Sequence, residues 1–114
     1  MSLSHAFTIV KTIGFANEIN PDLQAKIMEH ALHNFTPITD MIVYYPHRVN
    51  PHKEDEGRTL ITFMDGLPKK VYAKKDDYGD PATWDKIYDQ EVAQDLKTSG
   101  IARYVFTFML AEDY

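Results

Sequence analysis

Three features of the sequence predict an α+β fold: two stretches of helical periodicity that each begin at a proline, five stretches rich in β-branched and aromatic residues, and turn-forming residues between them. Their order, β-α-β-β-β-α-β, suits a two-layer sandwich with two helices on one face of a mainly antiparallel five-stranded sheet. At 114 residues the chain has the length of one domain, 1–114.

The first strand is expected over 5–13, where Phe7, Ile9 and Ile13 keep to one side of a period-two pattern that Lys11 interrupts. Asn20-Pro21 then supplies a side-chain acceptor at the N-cap and a proline at the first helical position, with Asp22 at the positive end of the helix dipole. Leu23, Ile27, Ala31 and Phe35 recur along one side of this helix, and Thr36-Pro37 ends it because the residue before proline is pushed out of the α region. Strands follow at 38–45, 58–64 and 69–75. The polar stretch 46–57, with two prolines and a Glu54-Asp55-Glu56-Gly57 run, reads as a loop. The last two of these strands are expected to pair as a hairpin through Asp65-Gly66-Leu67-Pro68, with Lys70, Tyr72 and Lys74 on one face and Val71 and Ala73 on the other. Pro81 opens a second helix with the stripe Trp84, Ile87, Tyr88, Val92 and Leu96, closed by Gly100 in the left-handed conformation. The strand Ile101 to Leu110 is apolar on both sides near its end, as an interior strand is.

Composition narrows the function. A chain that is 44% hydrophobic and 12% aromatic has the material for a packed core and is not intrinsically disordered. No apolar run reaches the roughly 18 residues that span a bilayer, and the start lacks a basic segment followed by an apolar one, so a cytoplasmic location is expected. Without cysteine there is no disulfide, thiolate nucleophile or cysteine metal site. The net charge of −5 opposes a general attraction to nucleic acid or anionic lipid. Ser2, Ser4 and Ser99 sit in no nucleophile elbow, and the five glycines form no phosphate loop, so covalent hydrolysis and nucleotide chemistry are not expected and no cofactor is implied.

Four constellations bear chemistry. His30, His33, His47 and His52 are the imidazoles available to a metal, although Glu29-His30-Ala31-Leu32-His33 has the wrong order for a zinc helix, and solvated histidines are the plainer reading. Seven acids between Asp76 and Asp95 read as a turn and a solvated helix face, since they lack calcium-loop spacing. Among them Glu91 and Asp95 share one side of the second helix near Trp84, the arrangement an acid/base pair would need. Finally, Lys69, Lys70, Lys74 and Lys75 with Tyr72, beside Arg48 in the preceding loop, are what a single-stranded nucleic-acid surface would use, against the alternative that these lysines guard a sheet edge.

Thr12-Ile13-Gly14-Phe15 with Glu18-Ile19-Asn20-Pro21-Asp22-Leu23-Gln24, and the closing Met109-Leu110-Ala111-Glu112-Asp113-Tyr114, resemble the opening and ending of a small bacterial family, domain of unknown function 960. That resemblance implies a small cytosolic protein of Gram-positive bacteria or their mobile elements and carries over no catalytic residue. By elimination the sequence points to a non-catalytic, self-associating or partner-binding module. One helical layer covers one sheet face, so the open face is expected to expose Tyr44, Tyr45, Phe106, Met109 and Leu110 and to pair two copies as a homodimer.

Overall fold

The computed structural model describes residues 7–100 and 102–114; His5, Ala6 and Ile101, which open two of the expected strands, lie outside the described residues. The chain runs through β1 (Phe7–Lys11), α1 (Ile13–Glu18), α2 (Pro21–Asn34), β2 (Met41–Tyr45), β3 (His52–Glu54), β4 (Thr59–Phe63), β5 (Val71–Asp77), α3 (Trp84–Ile87), α4 (Gln90–Ser99) and β6 (Tyr104–Leu110). The architecture is α+β, with a mixed sheet of six strands in the order β1-β6-β5-β2-β4-β3. The β1–β6 and β2–β4 pairs are parallel and the other three are antiparallel. No helix among the described residues is long and apolar enough to cross a membrane.

Asn20 caps α2 as its sequence predicts, accepting from Leu23 N–H, and Leu23, Ile27 and Ala31 are buried along one stripe. That stripe, with Phe15 and Ile19, packs on Ile42, Tyr44, Val71, Ala73, Phe106, Phe108 and Leu110 from the three central strands. This is the near face of the sheet. Because side chains alternate along a strand, Met41, Val43, Tyr45, Tyr72, Lys74, Val105 and Met109 occupy the opposite, far face.

Five expectations are corrected. The strands at 59–63 and 71–77 are not a hairpin: β2 lies between them, and the seven-residue link that crosses its end is pinned by Leu67, only 6% exposed in the core. A tight hairpin turn would leave that leucine in water. Consequently β5 is interior, hydrogen-bonded on both sides, and its lysines guard no edge. The loop 46–57 supplies a sixth strand, β3, too short and too polar to announce itself, followed by Asp55, Glu56 and Gly57 with φ of 48°, 60° and 91°.

Among the described residues there are four α-helices rather than two. Thr12 opens α1 by accepting from Phe15 N–H, which turns Ile13 out of the expected strand to 80% exposure. The second predicted helix breaks at Tyr88–Asp89, where the Asp89 side chain accepts from Val92 N–H and starts a new helix. Two short helices replace one stripe, so Ile87 and Val92 are exposed while Ala93 is buried. Gly100 does close α4 at φ 72°.

The two segments that carry the family resemblance meet in space. Thr12 Oγ1 donates to Asp113 Oδ2 at 2.8 Å, and Lys69 Nζ reaches both Glu18 and Glu112, at 2.9 and 2.7 Å. A Cβ on Gly14 would stand 2.7 Å from that same Asp113 oxygen and 2.9 Å from Leu110 Cδ1, so a larger residue there would have to push both side chains aside.

Candidate functional site

The histidines do not converge. His33 Nδ1 bonds to Glu29 O, His47 lies against Tyr45, and His52 Nε2 meets Glu54 at 3.3 Å. No group of three histidine, aspartate or glutamate side chains placed to hold a metal occurs among the described residues. His30 is half-buried and its Nδ1 lies 2.8 Å from the Tyr44 hydroxyl, a core hydrogen bond that its helical-wheel position at the margin of the stripe does not announce. Burial, and secondarily the neighbouring His33, hold the His30 pKa below the ordinary imidazole value of 6.5, while burial raises that of the Tyr44 phenol. The unfolded chain then takes up a proton near pH 6.5 that the folded chain resists, so the stability that buried, neutral His30 allows is complete above that pH and declines as pH falls below it. We expect the urea midpoint to drop between pH 8 and pH 5, and to drop less in His30→Gln; equal losses in both proteins would show that His30 does not carry the effect.

The acids of 76–95 mostly serve structure. Asp77 accepts both arms of Arg103, at 2.8 and 3.1 Å, and this pairing holds its carboxyl below the usual range. Asp80 and Asp89 cap helical turns, and Asp85 pairs with Lys97. Glu91 and Asp95 do share one side of α4, but both are exposed, and Gln90 and Gln94 rather than an aromatic wall line the shallow depression beside them.

The predicted interface set divides between the two faces. Tyr44, Phe106 and Leu110 belong to the core beneath α2, whereas Tyr45 and Met109 lie on the far face, with Met109 only 7% exposed. The predicted nucleic-acid set divides as well. Lys69 is taken by Glu18 and Glu112, and Lys75 bends toward the α2 end of the sheet, where its Nζ donates to Thr36 O. Lys70, Tyr72, Lys74 and Arg48 do come together on the far face, joined by Tyr45, Phe63 and Tyr114, which the sequence reading left out of the set.

There each cation lies over a ring. Lys70 Nζ is 5.2 Å from the Tyr45 centroid and 5.5 Å from that of Tyr72, Arg48 is 5.4 Å from Phe63, and Lys74 is 5.8 Å from Tyr114. Tyr114 meets Tyr72 edge-on at 5.5 Å. Register explains the grouping: Val43, Tyr72 and Met109 form one row across β2, β5 and β6, and Tyr45 pairs with Phe63 two residues on. On this face Val43, Ile61 and Met109 are nearly buried. Toward the other end of the strands the face opens into a depression of about 480 Å³, lined by four acids, Asp40, Glu54, Asp55 and Asp76, and three bases, Arg58, Lys74 and Lys75. The chain matches no protein-family profile, no curated protein and no solved structure.

Proposed function

We propose that the protein is a non-catalytic binding module whose far sheet face docks a protein partner that presents carboxylates. One observation carries the reading: Arg48 and Lys70 are spread over Phe63, Tyr45 and Tyr72 at one end of that face, with no acidic partner among the described residues. Cations held over rings keep their outer side for an incoming anion, and aromatic and arginine side chains are those that interfaces favour. The capped or ion-paired state of Asp77, Asp80, Asp85 and Asp89 further supports contact over catalysis, because it leaves those carboxylates engaged in structure.

The same ring–cation pattern favours a second reading, single-stranded nucleic acid stacked on Tyr45 and Tyr72. The acids at Glu54, Asp55 and Asp76 and the net charge of −5 weigh against it. Titrating isotope-labelled protein with a leucine-containing, Asp/Glu-rich dodecapeptide is expected to shift the amides of Tyr45, Phe63, Lys70 and Tyr72, and Lys70→Glu should weaken binding about tenfold. Saturation by a dT dodecamer under conditions where the peptide does not bind moves the assignment to nucleic acid. Silence toward both overturns a binding role for this face.

A further inference from the structure

The two edges of the sheet differ in a way that identifies a partner. At one edge β3 spans three residues, His52, Lys53 and Glu54, all exposed, and runs into Asp55 and Glu56 in the left-handed conformation. Short, charged and bent edges of this kind discourage pairing. At the other edge stands β1, FTIVK, with no proline, glycine or bulge and with Ile9 and Val10 each 40% exposed, one on each face. Its one charge gives no protection, because Lys11 Nζ is drawn back to Gln24 Oε1 on α2, 3.0 Å away.

The phase of the β1–β6 ladder shows which groups face outward. Thr12 N–H donates to Phe108 O, and the register pairs Val10 with Thr107. In a parallel pair, alternate residues direct both backbone groups to the partner strand, so Thr8, Val10 and Thr12 face β6 while Phe7, Ile9 and Lys11 turn theirs outward. We propose that β1 pairs antiparallel with β1 of a second copy across a two-fold axis at Ile9. This register alone uses all three outward residues of each strand: Ile9 opposes Ile9, and Phe7 opposes Lys11. No like charges face each other, and the exposed Ile9 and Val10 side chains become cross-strand neighbours of Ile9 and Thr8 of the second copy. The axis stands perpendicular to the sheet, so the two far faces lie on the same side of one continuous sheet. The inference is independent of what binds that face.

Sedimentation of the full chain from 1 to 100 μM is expected to give the mass of two chains. Ile9→Pro removes an outward N–H and no bond to β6, so it should leave the circular dichroism intact and raise the dimer dissociation constant at least tenfold, whereas Lys70→Glu should not. Because the chain has no cysteine, Ile9→Cys supplies a second readout. Opposed residues of a bonded pair lie about 5.5 Å apart, within disulfide reach, while two copies of Lys11→Cys would be about 14 Å apart. Mild oxidation should therefore link Ile9→Cys into a covalent dimer and leave Lys11→Cys monomeric. A mass of one chain at every concentration overturns the proposal, and so does a dimer that tolerates Ile9→Pro or crosslinks equally at both positions.

Discussion

Replacing Trp84 by alanine is expected to lower the unfolding free energy by about 3–5 kcal/mol. The indole is 2% exposed, and its Nε1–H donates to the carbonyls of both Tyr78 and Gly79, at 3.0 and 3.1 Å. Tyr78 O also accepts from the Tyr88 hydroxyl at 3.0 Å, so the ring closes the base of the whole excursion between β5 and β6. Alanine therefore leaves both a large cavity and a carbonyl, that of Gly79, without its donor. Trp84→Phe separates the two: it keeps most of the volume and loses the N–H, and a cost of about 1–3 kcal/mol is expected from the hydrogen bonds. Urea denaturation decides the matter, and a loss below about 1 kcal/mol for the alanine variant would show that the excursion contributes little to global stability. Trp84 is the chain's sole tryptophan, so its fluorescence reports on this region while circular dichroism reports on the whole chain. If 78–103 is a separate cooperative unit, the fluorescence transition comes at lower urea.

Which parts of this fold were legible follows from the kind of signal each element gives. The start of α2 was readable because Asn20 and Pro21 act locally, through a side-chain acceptor and a fixed φ, and so was the burial of Trp84, a large ring in an apolar stripe. The interior position of β6 was readable because both of its sides are apolar. Strand order was not. Whether β5 pairs with β4 or with β2 depends on long-range packing, and the one local clue, Leu67 inside a turn-like Asp65-Gly66-Leu67-Pro68, is a single residue. β3 was hidden because His52, Lys53 and Glu54 have no apolar period at all; the strand exists because β4 offers it a ladder. The break between α3 and α4 was hidden differently: Asp89 reads as one more acid on a solvated face until its side chain is seen on Val92 N–H. On the far face, Tyr72, the lysines and Arg48 were visible as a group, but Tyr45 and Phe63 join them only through the β2–β4 register.

The second large effect is expected at Phe15, in the helix that a period-two reading of 7–13 conceals. Thr12 at the N-cap is followed at the third helical position by Phe15 rather than by the glutamate or glutamine of a capping box, and α1 is only six residues long with Gly14 inside it. Nothing local would hold such a helix in isolation. What holds it is the Phe15 ring, fully buried and 5.9 Å from that of Phe108, together with the clasp from Thr12 to Asp113. Phe15→Ala should cost about 3–5 kcal/mol, and Phe15→Leu, which refills most of the volume, about 1.5 kcal/mol or less. The decisive comparison is with Ile13. In a strand running through residue 13 that side chain would share the inward side with Phe7 and Ile9, and Ile13→Ala would cost about 2–5 kcal/mol. In α1 it points to water at 80% exposure, and the same substitution should change stability by no more than about 0.5 kcal/mol. Urea midpoints of the three variants therefore decide between the two conformations at the point where β1 ends: a large loss at Ile13 with a small one at Phe15 would restore the strand and remove the helix.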